Sequence, residues 1–238
     1  MKHAKRTVLL VLSLLIGTVW GAPAAGRSEA HTAKLVGDVF SQPARAADFT
    51  LTDQNGAPFH MGSTDGKVVV LTFLYTHCTD TCPFLALKLK EAAAQLGADA
   101  GRTVFVAVTT DPARDTQKVI ADYSRAVGLS DTWHFLTGSL PSVQEVWRSY
   151  GIGVSVQKDA DSTGTTTNGG PEQEHGQGLS QDDLSVASAV IQKFGGGYEV
   201  AHSAPFWLID PKGLLRVVLG DDASPDDLVT DIRALLSR

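Results

Sequence analysis

Residues 68–83 read Val-Val-Val-Leu-Thr-Phe-Leu-Tyr-Thr-His-Cys-Thr-Asp-Thr-Cys-Pro, and this stretch predicts how the chain folds. Its first half, residues 68–75, is an unbroken run of apolar and β-branched side chains, which is typical of a short strand buried on both faces. The two cysteines of the chain, Cys78 and Cys82, follow at once, with Pro83 behind them. Proline is favoured in the first turn of a helix, because its missing N–H would have no partner there. We therefore expect a helix directly after the two thiols.

Both cysteines thus lie where a buried strand meets the N-terminus of a helix. The helix dipole and the free N–H groups at that end favour a thiolate. A disulfide between Cys78 and Cys82 would close a very short loop and stabilise the fold little, because this stabilisation grows with loop length. The spacing favours a redox-active dithiol over a structural disulfide.

Further apolar runs predict a parallel α/β core. Strands are expected at residues 103–109 and 132–136, where apolar and β-branched side chains again run together. Helices are expected to begin near residues 116 and 139, where apolar side chains recur at helical spacing. This alternation of strand and helix is typical of a parallel sheet covered by helices.

The two ends of this core predict antiparallel pairs. Residues 206–209 and 214–219 flank an Asp-Pro-Lys-Gly turn, and a capped helix follows at residues 225–236. Ahead of the core, residues 49–61 surround an Asp-Gln-Asn-Gly turn and predict a hairpin. The whole order predicts a thioredoxin-like α/β fold: a central mixed sheet flanked by helices, with an N-terminal β-hairpin extension.

Three segments depart from this pattern. Residues 1–25 combine a positively charged start, an apolar run and an Ala-Pro-Ala sequence, which together predict a signal peptide. Because the apolar run approaches the roughly 20 residues that span a bilayer, an uncleaved N-terminal membrane anchor is the alternative. Residues 26–47 predict a linker and residues 48–238 the folded domain. Residues 157–183, which are polar and contain a Thr-Thr-Thr-Asn-Gly-Gly-Pro run, predict a mobile insertion in that domain.

Charge and localisation narrow the classes of function. The formal net charge of −6 argues against a nucleic-acid partner, which would require a basic face. An exported chain would place the domain in the periplasm or at the extracytoplasmic face of the inner membrane, where dithiols tend to oxidise. Membrane contact is expected only through the N-terminal segment.

Four stretches of the domain resemble the Sco/SenC family of copper-binding thioredoxin-fold proteins. In order, they are residues 49–56, the Thr-His-Cys-Thr-Asp-Thr-Cys-Pro sequence at 76–83, the Thr-Asp-Pro-Ala-Arg-Asp-Thr sequence at 110–116, and residues 201–213 around the last hairpin. The resemblance implies a copper site formed by Cys78, Cys82 and His202. It also implies a metallochaperone that delivers copper to the copper-accepting subunit of a respiratory terminal oxidase.

The residues themselves agree with copper, although the family pattern is not complete. Soft thiolates select Cu(I), and two sulfurs with one imidazole suit Cu(I) or Cu(II), whereas zinc usually takes four ligands. Family members commonly carry Pro and Val between the cysteines, where this chain has Thr79 and Thr81. They often carry Asp where this chain has Ala201, so an acceptor that would orient His202 is absent at that position.

A reading of the dithiol without metal stays open. Cys78 and Cys82 would then be the redox-active pair of a thiol–disulfide oxidoreductase that reduces the acceptor's cysteines. A thiol reductant protein would reduce this pair again. A thiol peroxidase is a third hypothesis. The C-x-x-x-C spacing differs from the C-x-x-C of ordinary oxidoreductases and favours metal, and His202 separates the two functions, since a reductase needs only the dithiol.

Other polar and aromatic residues have structural interpretations. His77 is expected to face away from Cys78, because adjacent residues of an extended chain point to opposite sides. It is therefore interpreted as a buried structural histidine or one that tunes the pKa of its neighbours, and not as a ligand. His134 is expected to be structural, and His60 and His175 to be solvated. The remaining expectations are a helix-start pair and three core aromatic residues: Asp111 with Arg114, and Phe105, Trp147 and Trp207.

Overall fold

The computed structural model of the chain describes residues 34–157 and 175–238, which belong to one compact unit. The predicted signal peptide or anchor at 1–25, the linker residues 26–33 and the insertion residues 158–174 lie outside the described residues. The strands are β1 (Asp38–Val39), β2 (Thr50–Thr52), β3 (Pro58–His60), β4 (Val68–Leu74), β5 (Thr103–Thr109), β6 (Trp133–Leu136), β7 (Val154–Gln157), β8 (Glu199–His202), β9 (Phe206–Ile209) and β10 (Leu215–Leu219). The helices are α1 (Thr81–Leu96), α2 (Gln117–Ala126), α3 (Leu140–Ser149), α4 (Gln181–Phe194) and α5 (Pro225–Leu236).

The apolar run before the cysteines forms β4, and all of its residues are buried. This strand lies inside a six-stranded sheet of order β1-β10-β9-β4-β5-β6. It pairs in parallel with β5, and β5 in parallel with β6, while β9 and β10 add antiparallel pairs. The predicted central mixed sheet flanked by helices is confirmed.

Successive residues of β4 point to opposite faces of the sheet, so this strand contributes to a core on each face. Val68, Val70 and Leu74 join a core that includes the apolar faces of α1, α2 and α5. Leu71 and Phe73 join the opposite core, which is closed by α3 and by the β2–β3 hairpin. A smaller cluster packs α4 on the outer side of α1. In the part of the chain that is described, no helix is long and apolar enough to cross a membrane.

The described part of the predicted linker, residues 34–47, is docked on the domain, so the linker prediction is wrong there. β1 pairs with β10 at the edge of the sheet. The buried Asp231 carboxylate on α5 accepts the backbone N–H groups of Val36 and Gly37 at 2.7 and 3.0 Å. The sequence does not indicate this edge strand, because β1 has only two residues and shows no apolar alternation.

The borders of the predicted insertion are also structured. Gln157 ends β7 and pairs with Glu199 of β8, so β7 and β8 form a separate two-stranded antiparallel sheet. At the other border, α4 begins at Gln181, with Ser180 as its N-cap. A partly exposed strand such as β7 carries too few apolar residues to be recognised from composition. The insertion prediction therefore applies at most to residues 158–174.

Candidate dithiol and metal site

The two cysteines are placed by the junction between β4 and α1. Cys78 lies in the loop after β4, where its backbone N–H contacts the Tyr75 carbonyl oxygen at 3.5 Å. Cys82 lies in the first turn of α1. Both are free thiols, and they are only 6% and 1% exposed. The predicted geometry, with two thiols at the start of a helix behind a buried strand, is present.

The two sulfurs have different electrostatic environments. A hydrogen bond from the Cys82 thiol lowers the pKa of Cys78, assisted by the backbone N–H groups of Cys82 and Asp80. Burial raises the pKa of Cys82 well above its usual value. Cys78 is therefore the sulfur that ionises first, and Cys82 is the thiol that stabilises it.

His202 lies beside Cys82, although the two residues are far apart in the sequence. Its Nε2 is 3.9 Å from the Cys82 sulfur, and its Nδ1 is 3.0 Å from the carbonyl oxygen of Ser203. A carbonyl oxygen only accepts, so Nδ1 carries the proton and the lone pair of Nε2 faces the sulfur. Burial lowers the pKa of His202, which keeps the ring neutral and able to bind a metal. His202 is the last residue of β8.

The dithiol and His202 open into one cleft of about 620 Å³. Its walls also include Tyr75, Glu199 and Asp221. Within residues 34–157 and 175–238, no three His, Cys, Asp or Glu side chains converge closely enough to hold a metal ion. The donor types nevertheless fit copper, since two sulfurs and a neutral imidazole with a free lone pair face the same cleft.

The buried carboxylate of Asp115 holds the start of the loop that carries Cys78. Asp115 is completely buried and accepts the hydroxyl groups of Thr76 and Thr109, each at 2.6 Å. Burial raises the pKa of Asp115 to about 6. Sequence pattern alone does not single out Asp115, because an acid just before a helix is usually a solvent-exposed helix-start residue. Its position directly after a buried strand and loop was the only available signal.

His77 bonds within the loop and not to the sulfurs. Its Nδ1 lies 2.8 Å from the Thr76 hydroxyl and 3.9 Å from the Asp115 carboxylate. Burial lowers the pKa of His77, and the charge of Arg114 lowers it further. These contacts agree with the prediction of a structural histidine.

His175 is not solvated, contrary to the prediction. Its side chain is 12% exposed, and Nε2 lies 3.3 Å from the Asp80 carboxylate and 3.2 Å from the Thr81 hydroxyl. The ring also packs near Phe84. The polar sequence around His175 does not indicate this contact, because Asp80 and Thr81 lie in a remote part of the chain.

His60, His134 and the expected pair of Asp111 with Arg114 behave as predicted. The His60 side chain is 53% exposed, and His134 lies on β6 with Nδ1 3.3 Å from the Asp53 carboxylate. Arg114 forms an ion pair with Asp111. Two of the three expected core aromatic residues are buried and the third is partly buried: Phe105, Trp147 and Trp207.

Comparisons with known proteins assign the chain to a family. The SCO1/SenC family model matches residues 39–179. The mitochondrial protein SCO2 homolog of Mus musculus is 27% identical over 238 residues, which cover 96% of this chain and 78% of that protein. Yeast Sco1 with copper bound is 25% identical with a TM-score of 0.57, and the match covers 80% of this chain and 87% of that chain.

A further solved structure shares the thioredoxin-like fold. It is BsSco, described as a member of the Sco family of cytochrome c oxidase assembly proteins in which a disulfide switch was identified. It has a TM-score of 0.55 and 18% identity, with 85% of this chain and 98% of that chain covered. Since the family model matches more than half of the sequence, the chain belongs to the SCO1/SenC family.

Proposed function

We propose that this protein is a copper metallochaperone that binds copper through Cys78, Cys82 and His202. The observation that carries the proposal is the 3.9 Å approach of the His202 Nε2 lone pair to the Cys82 sulfur. Nothing in local sequence pattern requires these residues to meet. The yeast relative with copper bound, at 25% identity, supports the same cargo.

The residues divide the work of binding copper. Cys78 has the lower pKa and supplies the first thiolate, while Cys82 gives up its proton on binding, since metal ligands must be deprotonated. His202 is already neutral and supplies nitrogen without losing a proton. A small approach of β8 to the start of α1 would complete a site with two sulfurs and one nitrogen.

We propose that the acceptor is the copper-accepting subunit of a respiratory terminal oxidase. This extends to the chain the description of BsSco as a member of a family of cytochrome c oxidase assembly proteins. Copper would pass by ligand exchange, with an acceptor thiolate replacing Cys78 or Cys82 one bond at a time. Cys78 is the better site of first exchange, because this residue is 6% exposed whereas Cys82 is 1% exposed.

For location, we propose export by residues 1–25, followed by action at the extracytoplasmic face of a membrane. The charged start, the apolar run and the Ala-Pro-Ala sequence support it. The mouse relative is mitochondrial by name. Sequencing the N-terminus of the mature protein after cell fractionation tests this, and an intact chain found in the cytoplasm contradicts it.

A thiol–disulfide oxidoreductase is the second candidate function. One observation favours it: the Cys78 pKa is lowered while Cys82 is buried and protonated, which is the division between an attacking and a resolving thiol. In that case reduced Cys78 would attack an acceptor disulfide, and Cys82 would release the reduced acceptor as the Cys78–Cys82 disulfide forms. A separate thiol reductant protein would then restore the dithiol.

Four variants separate the two functions: His202→Ala, Cys78→Ser, Cys82→Ser and His77→Ala. We expect His202→Ala to bind far less copper while its dithiol still oxidises and is reduced. Each cysteine variant should lose both properties, and His77→Ala should retain most of the copper. The measurements are copper stoichiometry, competition affinity and thiol trapping, alongside oxidase assembly in cells. If His202→Ala supports full oxidase assembly while the cysteine variants do not, the reductase replaces the metallochaperone.

A further inference from the structure

His202 is carried by a small sheet that has no strand in common with the central sheet. β7 and β8 pair only with each other among the described strands. Three glycines, Gly195, Gly196 and Gly197, precede β8, and the last two have φ values of +110° and +82°. Since no backbone ladder fixes β8 to β4, side-chain contacts add to the short connection from β8 to β9 in holding His202 against the dithiol.

Glu199, at the start of β8, makes the side-chain contacts that meet this need. One carboxylate oxygen accepts the Tyr75 hydroxyl at 2.8 Å, and the other lies 3.4 Å from the Thr79 hydroxyl. Tyr75 follows β4 directly, and Thr79 lies between the two cysteines. The Glu199 carboxylate therefore connects β8, which carries His202, to residues before and after Cys78.

Tyr75 completes the connection to His202. Its hydroxyl accepts the backbone N–H of Val200 at 3.3 Å. Its ring packs edge to face against the His202 ring, with 5.8 Å between the ring centroids. The position of the His202 ring thus depends on an ordered path from Glu199 through Tyr75.

Two positions near this path depart from the pattern expected of the family. A proline at position 79 would have no hydroxyl to donate, whereas Thr79 reaches Glu199. Ala201 offers no carboxylate next to His202, whereas Glu199 places one in the same cleft as the two sulfurs and the imidazole.

We infer that Glu199 is a positioning residue for copper, which sets the distance of His202 from the dithiol through Tyr75 and Thr79 and adds a negative charge to the cleft. This inference rests on the proposed function. A carboxylate charge near the site stabilises Cu(II) more than Cu(I), because the attraction grows with the charge of the ion. Glu199 therefore favours retention of Cu(II).

The test uses the full mature chain with Glu199→Ala, Glu199→Gln and Thr79→Val, and Glu145→Ala on the exposed face of α3 as the matched control. Loss of the charged hydrogen bonds in Glu199→Ala should weaken Cu(II) binding about tenfold, with a smaller effect on Cu(I). The sulfur-to-Cu(II) absorption band should also shift. Glu199→Gln keeps an acceptor for Tyr75 and should recover part of the affinity, while Thr79→Val should lose about threefold or less because its contact is long.

A second measurement needs no copper. In the reduced, metal-free protein, amide hydrogen exchange at Val200 should be faster in Glu199→Ala than in Glu145→Ala, because β8 loses its attachment. Parent-like exchange together with a parent-like Cu(II) spectrum and affinity in Glu199→Ala would overturn the inference. If the parent itself binds no copper, the proposed function fails, and the exchange result alone decides whether Glu199 positions β8. If Glu199→Ala does not fold, Glu199→Gln and Thr79→Val decide by the same measurements.

Discussion

Asp115 holds Thr76 by both of its donor groups: the carboxylate accepts the Thr76 backbone N–H at 3.2 Å and the Thr76 hydroxyl at 2.6 Å. Thr76 is the second residue after β4, so this contact fixes the chain where it enters the dithiol loop. The Thr109 hydroxyl at the end of β5 binds the same carboxylate. Asp115 therefore ties the ends of two neighbouring parallel strands to the start of the loop.

The first prediction concerns the pH dependence that Asp115 gives to stability. Burial raises its pKa from 3.8 in the reference state to about 6 in the folded protein. The folded state then binds the proton more tightly than the unfolded chain, so the stabilising contribution is fully present below about pH 4 and is lost as pH rises through 6. We expect the unfolding free energy of the parent, minus that of Asp115→Asn, to fall between pH 4 and 6.

Urea unfolding at a series of pH values measures this difference. Glu145→Gln, which changes an exposed carboxylate on α3, is the control for general charge effects. A difference that stays constant or rises with pH would contradict the raised pKa of Asp115.

The second prediction concerns the unequal reactivity of the two thiols. Because the Cys82 thiol donates to Cys78 and lowers its pKa, alkylation of the reduced protein near pH 7 should modify Cys78 first. In Cys82→Ala this donor is lost, so the pH midpoint for alkylation of Cys78 should move upward. Mass spectrometry of timed samples gives both the site and the rate. First modification at Cys82 would show that the assignment of the two thiols is reversed.

The third prediction tests the docking of residues 34–47. Asp231→Ala removes the acceptor of the Val36 and Gly37 amides, and we expect a loss of about 2 kcal/mol in unfolding free energy. The same variant should be cut faster by protease within residues 34–47. Asp226→Ala, at an exposed position on α5, is the control. Equal cleavage rates in the two variants would mean that the Asp231 contacts do not hold this segment.

The fourth prediction concerns Tyr123, whose hydroxyl is buried and has no hydrogen-bond partner among the residues that the structure describes. An unpaired buried hydroxyl costs free energy, so Tyr123→Phe should leave stability unchanged or raise it by up to about 1 kcal/mol. Tyr75→Phe, which removes the bond to Glu199, should lower it. Urea unfolding compares the two variants. A marked loss of stability in Tyr123→Phe would reveal a buried partner for the hydroxyl, such as a bound water.

Much of the fold follows from local sequence. The runs at β4, β5 and β9 are short and consist of apolar and β-branched residues, the composition expected of a strand covered on both faces. The proline after Cys82 and the Ser-Pro sequence at the start of α5 mark helix starts by their own backbone chemistry. The position of two thiols at a strand-to-helix junction was therefore set by residues that are neighbours in the chain.

Tertiary structure alone decided how distant residues meet at the site. β8 is half polar, and its partner β7 lies in a remote part of the sequence. Hydrophobic periodicity therefore predicts neither the pairing of β8 nor the position of His202. The same holds for Asp115 under the loop, for His175 against Asp80, and for Glu199 against Tyr75 and Thr79. In each of these contacts one polar group is satisfied by another from a remote segment. The sequence by itself determined the strands of the buried core and where the thiols lie, whereas the assembled fold decided how β1, β7 and β8 pair and which polar groups surround the thiols.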